Sequence, residues 1–373
     1  MNSNGMETGS EKQNLNNELA GRMDRLTGVL KSLALDGILV SSEANRRYFS
    51  GFGGEGYLFL LGERRIFLTD SRYTVAAKRE TEGSGCEVFE ISRKYEEHFA
   101  ELIGTGKLRI GYEDKVMVCA DYQEISRALP AVTLVPVGDA LNRQRAVKSA
   151  AEIAWIAKAE SIGDLAFSRI LGLLKPGMTE LAAAAELEYA MKAAGASDVS
   201  FSTIVASGIN SSMPHAVPSE KKIEAGDFVT MDFGCRYHSY CSDMTRTVVV
   251  GKADQKQKEI YGIVLRAQEA ACAAMREGVS CFDVDRAARD LIKAAGYGKC
   301  FGHSLGHSVG LEIHELPFCS MKSKDLLTAG VTMTSEPGIY MEGWGGVRIE
   351  DLLVVTKDGA LNLTHSEKQL IEL

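Results

Sequence analysis

From Leu19 onward apolar residues recur at helical spacing, through Met23, Leu26, Leu30 and Leu33, and the pattern stops before Gly37. A helix is predicted there. Short apolar runs follow at Ile38-Leu39-Val40, Tyr57 to Leu61, Ile66-Phe67-Leu68, Val88 to Ile91, Leu108-Arg109-Ile110 and Thr133-Leu134-Val135. Gly, Asp, Ser or Pro bounds each of them, as is usual for strands. Helical stretches, Tyr73 to Arg79, Tyr95 to Ile103 and Tyr122 to Leu129, alternate with these runs. Residues 17–140 therefore read as a layered α/β domain. Asn45-Arg46-Arg47-Tyr48 and Asp70-Ser71-Arg72-Tyr73 are candidates to line a cleft, with surface and loop roles as the alternative. Residues 1–16 are polar and predict a disordered tail.

A second domain is assigned to residues 145–373. Ser149-Ala150-Ala151-Glu152 is a capping-box pattern opening a helix, with Ile153, Ile156, Ile162, Leu165 and Ile170 as its buried face and Lys175-Pro176-Gly177 as its stop. Beyond it the chain repeats. Lys175-Pro176-Gly177-Met178-Thr179 opens a helix closing at Gly195, and Arg276-Glu277-Gly278-Val279-Ser280 opens one closing at Gly296, an offset of 101 (278 − 177 and 296 − 195). Ala225-Gly226 and Asp232 match Ala329-Gly330 and Glu336 at 104 (330 − 226 and 336 − 232), and Asp243 matches Glu350 at 107 (350 − 243). Two helix-then-hairpin units facing each other are predicted: a pseudo-twofold domain, antiparallel strands inside and helices outside.

The repeat carries the chemistry. Phe228 to Gly234 and Ser242 to Val250 are strand-like and flank a short polar turn at Tyr237-His238-Ser239. An antiparallel pair would bring Asp232 near Asp243, and the second repeat would do the same for Glu336 and Glu350. Buried carboxylates repel one another and lose hydration, and Arg246 and Arg348 are the cations close in sequence. Near them, Gly302 to Glu315 holds three of the protein's seven histidines, His303, His307 and His314. Gly306 and Gly310 argue against an ordinary helix over that run, each glycine costing about 1 kcal/mol in one. Four carboxylates and an imidazole without thiolate suit two divalent ions such as manganese, cobalt, iron or zinc.

Composition narrows the field. The net charge of −8 and the lack of a long basic run give no reason to expect nucleic acid. No apolar run approaches the 18 or so residues of a membrane span, and the first sixteen residues lack the apolar core of a signal peptide. The eight cysteines form no C-x-x-C pair, so a reducing cytoplasmic setting is expected.

From about residue 20 to its end the chain resembles the pita-bread metallopeptidases, within them the Xaa-Pro aminopeptidases and prolidases. The resemblance rests on Met213-Pro214-His215-Ala216, Met231-Asp232-Phe233-Gly234, Ser242-Asp243-Met244-Thr245-Arg246, Gly302 to Glu315, Ser335-Glu336-Pro337-Gly338 and Gly346 to Asp351. It implies a creatinase-like N-terminal α/β domain before a pseudo-twofold pita-bread domain, with the metal ligands Asp232, Asp243, His307, Glu336 and Glu350. Asp243 and Glu350 would bridge two ions, manganese foremost. A bridging hydroxide would attack the scissile carbonyl, Glu336 relaying the proton. His215, His303 and His314 would surround the substrate, His314 stabilising the oxyanion, and Arg348 would orient ligands. For His238 and His365, outside these motifs, a hydrogen-bonded core position is expected. A homodimer is also implied. Prolidases often carry an arginine after His-Glu-x-Pro, where it can hold a dipeptide's carboxylate; here Phe318 follows His314-Glu315-Leu316-Pro317. The expected activity is therefore an Xaa-Pro aminopeptidase acting on peptides with proline second, the alternatives being a prolidase or an inactive peptide-binding module.

Overall fold

The computed structural model describes the backbone of residues 9–373 and side chains from residue 18 onward. The chain divides into two compact units, Met1–Arg145 and Ala146–Leu373.

In the first unit α1 (Gly9–Ser32) begins ahead of the apolar stripe that predicted it, and buries Leu19, Met23, Leu26 and Leu30. It overlaps the second half of the expected tail; residues 1–8 of that tail lie outside the described residues. The elements that follow are β1 (Gly37–Val40), α2 (Glu43–Ser50), β2 (Tyr57–Leu61), β3 (Arg64–Thr69), α3 (Thr74–Glu80), β4 (Glu87–Glu90), α4 (Tyr95–Ile103), β5 (Arg109–Tyr112), α5 (Cys119–Ala128) and β6 (Thr133–Pro136). The strands form one mixed sheet in the order β4-β3-β2-β1-β5-β6. Asn45-Arg46-Arg47-Tyr48 lies inside α2, where Asn45 is buried and donates to Glu113 Oε1 at 2.5 Å. Arg72 instead pairs with Asp70 on the surface.

The second unit opens with α6 (Ala150–Leu171), capped by the Ser149–Glu152 box. Leu165, expected on its buried face, is 58% exposed. The buried stripe runs instead through Ile156, Ala159, Ile162, Ala166 and Ile170, so Leu165 falls on the outer side of the next turn. The chain continues as α7 (Glu180–Ala193), β7 (Asp198–Val199), β8 (Ile204–Ser207), β9 (Phe228–Phe233), β10 (Cys235–Tyr237), β11 (Tyr240–Cys241), β12 (Met244–Val249), α8 (Gln255–Ala274), α9 (Cys281–Ala294), β13 (Gly306–Ser308), β14 (Glu315–Cys319), β15 (Thr332–Ser335), β16 (Gly338–Met341), β17 (Gly345–Arg348), β18 (Asp351–Val355) and β19 (Ala360–Asn362).

The repeat read from the sequence is carried by the backbone. Thr179 caps α7 and bridges Lys222, while Ser280 caps α9 and bridges Leu326. β9 pairs antiparallel with β12, and β15 with β18. Each half has its own core: Phe167, Leu187, Met231 and Met244 in one, Ile260, Val284, Met333 and Leu353 in the other. Helices thus cover the strands, and the strand ends of both halves converge.

Candidate metal centre

The four acids sit at the ends of the two hairpins. Asp232 is in β9 opposite Thr245 of β12, Asp243 immediately precedes β12, Glu336 follows β15, and Glu350 precedes β18. At these ends the backbone N–H groups leave the ladder for other acceptors. Asp243 N–H donates to Glu160 Oε2 at 3.2 Å, Glu336 N–H to Leu305 O at 2.9 Å, and Glu350 N–H to Thr245 O at 3.1 Å. The last bond ties one half directly to the other. The polar turn expected to join two long strands is the tip of a separate hairpin, β10–β11, with Tyr237 opposite Tyr240. β16–β17 is its counterpart in the second half.

Two glycines allow the convergence. A Cβ on Gly234 would lie 1.9 Å from Ser242 O, and one on Gly306 would lie 2.1 Å from Thr334 O. Only a residue without Cβ lets these strands come so near, and the second approach brings His307 against Glu336.

All the predicted site residues line one cavity of about 480 Å³: the expected ligands Asp232, Asp243, His307, Glu336 and Glu350, then His215, His303, His314 and Arg348. Carboxylate oxygens of Asp232, Asp243 and Glu350 lie within 4.8 Å of one another. His307 Nε2 stands 3.5 Å from both Asp243 Oδ2 and Glu336 Oε1. Its Nδ1 lies 3.1 Å from Ser308 O, so the proton belongs on Nδ1 and the Nε2 lone pair faces the acids.

Arg348 and Thr245 orient the acids. Arg348 Nη2 donates to Asp232 Oδ2 at 2.7 Å, its Nε to Thr245 Oγ1 at 3.1 Å, and its Nη1 to Tyr340 Oη at 2.8 Å and Pro214 O at 3.2 Å. Thr245 Oγ1 donates in turn to Glu350 Oε2 at 2.7 Å. One oxygen of each acid is thereby held, while Asp232 Oδ1 and Glu350 Oε1 are buried with no hydrogen-bond partner. Thr334 Oγ1 accepts the His307 N–H at 3.0 Å and approaches Glu336 Oε1 at 3.4 Å.

The electrostatics follow from the crowding. Burial, then Glu350 and Asp232, raise the Asp243 carboxyl well above its ordinary range. Burial, then Glu336 and Asp232, do the same to Glu350. Burial pushes Glu336 up to about 8 even though Arg348 opposes the change. Burial and His314 push His307 down to about 3, and burial with Arg348 pushes His303 down to about 4. Buried oxygens without donors, acids held unfavourably, and a neutral imidazole directed at them are what a divalent cation would satisfy. Among the described residues Arg348 is the only Lys or Arg lining the cavity. The donor set therefore fits metal.

The histidines divide by surroundings. His303 is fixed between Ser304 O (2.8 Å) and Tyr340 Oη (3.0 Å), whereas His215 and His314 are exposed at the cavity. His314 packs edge-on to His307, ring centroids 4.4 Å apart. His238 stacks on Trp155 and His365 donates its backbone N–H to Asp164; both are exposed rather than in the core, since each sits in a turn or loop at the surface, and neither lines the cavity. Thr245, Tyr340 and Glu160 were missed. Glu160 had a signal: it falls four residues after Ile156 on the apolar face of α6, where it is fully buried. Its carboxylate also accepts from Thr364 Oγ1 at 2.6 Å. Nothing local in the sequence marks Tyr340.

Comparison with known proteins gives the family. The family model for Metallopeptidase family M24 matches residues 154–357, and that for the Creatinase/Prolidase N-terminal domain matches residues 22–147. The chain is 38% identical over 341 residues to an Xaa-Pro dipeptidase of Pyrococcus horikoshii, covering 91% of this chain and 95% of that one. The solved structure of an Xaa-Pro dipeptidase from Bacillus anthracis superposes with a TM-score of 0.92 at 39% identity, covering 95% and 100%. That of an X-Pro aminopeptidase from Thermotoga maritima gives 0.85 at 38%, covering 91% and 98%. No helix among the described residues is long and apolar enough to cross a membrane.

Proposed function

Since the chain belongs to metallopeptidase family M24 and is a hydrolase of that family, we propose that it is an Xaa-Pro dipeptidase, cleaving the bond before a C-terminal proline. The observation that carries the reading is the set of converging acids, with unpartnered oxygens on Asp232 and Glu350, in a cavity that also has apolar walls. The family binds divalent metal ions, typically two. Asp232, Asp243, His307, Glu336 and Glu350 would hold them here, manganese being our choice for this oxygen-rich set. When bound, such ions neutralise the crowded acids and polarise a carbonyl and a water.

The side chains supply the rest. Arg348 and Thr245 keep one oxygen each of Asp232 and Glu350 engaged, which leaves the other without a protein partner. His307 presents Nε2 because Ser308 O holds its Nδ1 proton. Glu336 is the group positioned to take a proton from water and pass it to the leaving nitrogen. His314 and His215 offer donors to a developing oxyanion at the open side. Phe201, Ile204, Val217, Ile313 and Phe318 give walls that suit a proline ring. A homodimer and a cytoplasmic setting complete the reading.

A second reading has its own support. Arg348 is already engaged by Asp232, Thr245, Tyr340 and Pro214, and Phe318 is no cation. With no other Lys or Arg among the described lining residues, a dipeptide's free carboxylate lacks a clamp, which favours an aminopeptidase acting on longer peptides. Comparing kcat/KM for Ala-Pro, Ala-Pro-Ala and Ala-Ala with the manganese-loaded protein separates the two. The dipeptidase reading expects Ala-Pro to exceed Ala-Pro-Ala by at least about tenfold, with little turnover of Ala-Ala. Equal or better cleavage of the tripeptide overturns it in favour of the aminopeptidase, and no turnover of any of them overturns both.

A further inference from the structure

Between β8 and β9 the chain makes a long excursion that carries Pro214, His215, Val217 and Pro218 along one side of the cavity. Loops of this length are costly to order, and this one has little regular structure beyond a short 3₁₀ turn at Gly208–Ser212. The residues flanking the stretch along the cavity, Ser207 and Ser219, meet at a single side chain. Glu180, the first residue of α7, is 0% exposed. Its Oε1 accepts from Ser207 N–H at 2.7 Å and from Ser207 Oγ at 2.9 Å. Its Oε2 accepts from Ser219 N–H at 3.2 Å and from Ser219 Oγ at 2.7 Å. Asn210 Nδ2 reaches both oxygens, at 3.1 and 3.2 Å.

We propose that Glu180 is a positioning residue of the active site, closing the 207–219 loop so that His215 and the apolar wall beside it meet the substrate. The inference rests on the peptidase reading above for its kinetic part only. An ionised carboxylate is acceptor on both oxygens, and here both oxygens face donors. The loop is also joined to the metal centre, because Pro214 O accepts from Arg348 Nη1 at 3.2 Å and Arg348 holds Asp232. Ser211 Oγ accepts from Gly346 N–H at 2.8 Å, fixing the same loop to β17 in the other half. Glu180 therefore acts on the cavity through the backbone, touching no ligand itself. The position 101 residues later is Cys281 (180 + 101), so this carboxylate is a feature of the first half and not of the repeat. The second half anchors its own cavity histidine differently: Glu315, next to His314, is buried against Lys148 Nζ at 3.1 Å.

Glu180→Gln tests the idea with little change in volume. The amide replaces one acceptor by a donor, so whichever way it turns, either the Ser207 pair or the Ser219 pair faces another donor. In the metal-loaded protein we expect hydrogen exchange of the amides of residues 208–218 to quicken about tenfold while the β9–β12 ladder is unchanged. We expect a full metal complement and KM for the best Xaa-Pro substrate raised on the order of tenfold, with kcat falling less. Combining it with His215→Ala should add little further loss, whereas combining it with His314→Ala should multiply. Ser219→Ala, which removes one donor and leaves the carboxylate, should show the same pattern more weakly and serves if Glu180→Gln does not fold. Unchanged exchange in 208–218, or losses that multiply with His215→Ala, overturn the proposal. The exchange result holds whatever the substrate proves to be, so failure of the peptidase reading is distinguishable from failure of this one.

Discussion

Arg348 of the second repeat donates to Asp232 of the first at 2.7 Å, with the two side chains only 3% and 13% exposed. Burial opposes the Arg348 charge, but Tyr340 and Asp232 keep the guanidinium well above its ordinary range, so the cation is permanent. The pair decides which oxygen of Asp232 is spent on protein and which is left over. The same guanidinium reaches Glu350 through Thr245, so one side chain sets two acids from opposite halves.

Arg348→Lys is therefore not a conservative change. An ammonium cannot make the forked set of contacts to Asp232, Thr245, Tyr340 and Pro214 together. We expect metal affinity to fall by about 10–100-fold, the usual effect of losing a group that orients ligands. Calorimetric titration of the chelated protein with manganese checks this. Unchanged affinity would mean that Asp232 does not need its partner.

Asp243→Asn should separate stability from function. In the wild-type protein without metal, Asp243 shares its site with Glu350, Asp232 and Glu336, and burial, then these neighbours, hold its carboxyl well above the ordinary range. An amide avoids the cost of protonating or charging a carboxyl there, but takes away one of the proposed ligands from the centre of the set. Near neutral pH, we expect the chelated variant to melt at or above the temperature of chelated wild type while losing metal and at least about a thousandfold in activity. A variant that keeps full activity without bound metal would falsify the metal assignment.

How much of this was legible follows from where each residue's role is encoded. Asp232, Asp243, Glu336 and Glu350 were readable because a duplicated hairpin repeats its acids at matched offsets, and strand periodicity carries that across a long separation. The register could not be read. Asp232 lies opposite Thr245, not Asp243, because the extra hairpin β10–β11 intervenes and leaves Asp243 at a strand end. Thr245 acts through a contact across halves, and Tyr340 through one to Arg348 on the paired strand, neither of which local pattern reports. Leu165 was misjudged for a different reason: an apolar residue on a helix need not lie on its buried stripe.

Stability without metal should depend on pH with a definite sign. Glu336 is shifted from 4.5 up to about 8, and Asp243 and Glu350 are also raised, so the folded state binds more protons than the unfolded one across that interval. Their contribution is fully present below the unfolded value and is lost as pH rises through the folded one. His303 and His307 are shifted down from 6.5, so they contribute no slope above that value. Between pH 6.5 and about 8 the chelated protein should thus lose stability as pH rises. With manganese present the slope should flatten or reverse, because the ligands bind metal deprotonated. Denaturant melts at several pH values, with and without chelator, decide it; a chelated protein that gains stability over this window contradicts the crowded-acid account.

Phe318→Arg addresses chain length in the substrate. Phe318 lines the cavity, 37% exposed, with its ring centroid 6.2 Å from that of His307. A guanidinium there would face a dipeptide's carboxylate, and one charge-assisted hydrogen bond is worth about 1.5–3 kcal/mol. After the cost of ordering the side chain, we expect the ratio of kcat/KM for Ala-Pro over Ala-Pro-Ala to rise about tenfold. Metal content should stay the same, since Phe318 contributes no ligand atom. The ratio, not the absolute rate, is the informative quantity, because a generally damaged site lowers both substrates together. If the ratio does not move, the carboxylate is held elsewhere, and the clamp must come from residues outside this cavity wall.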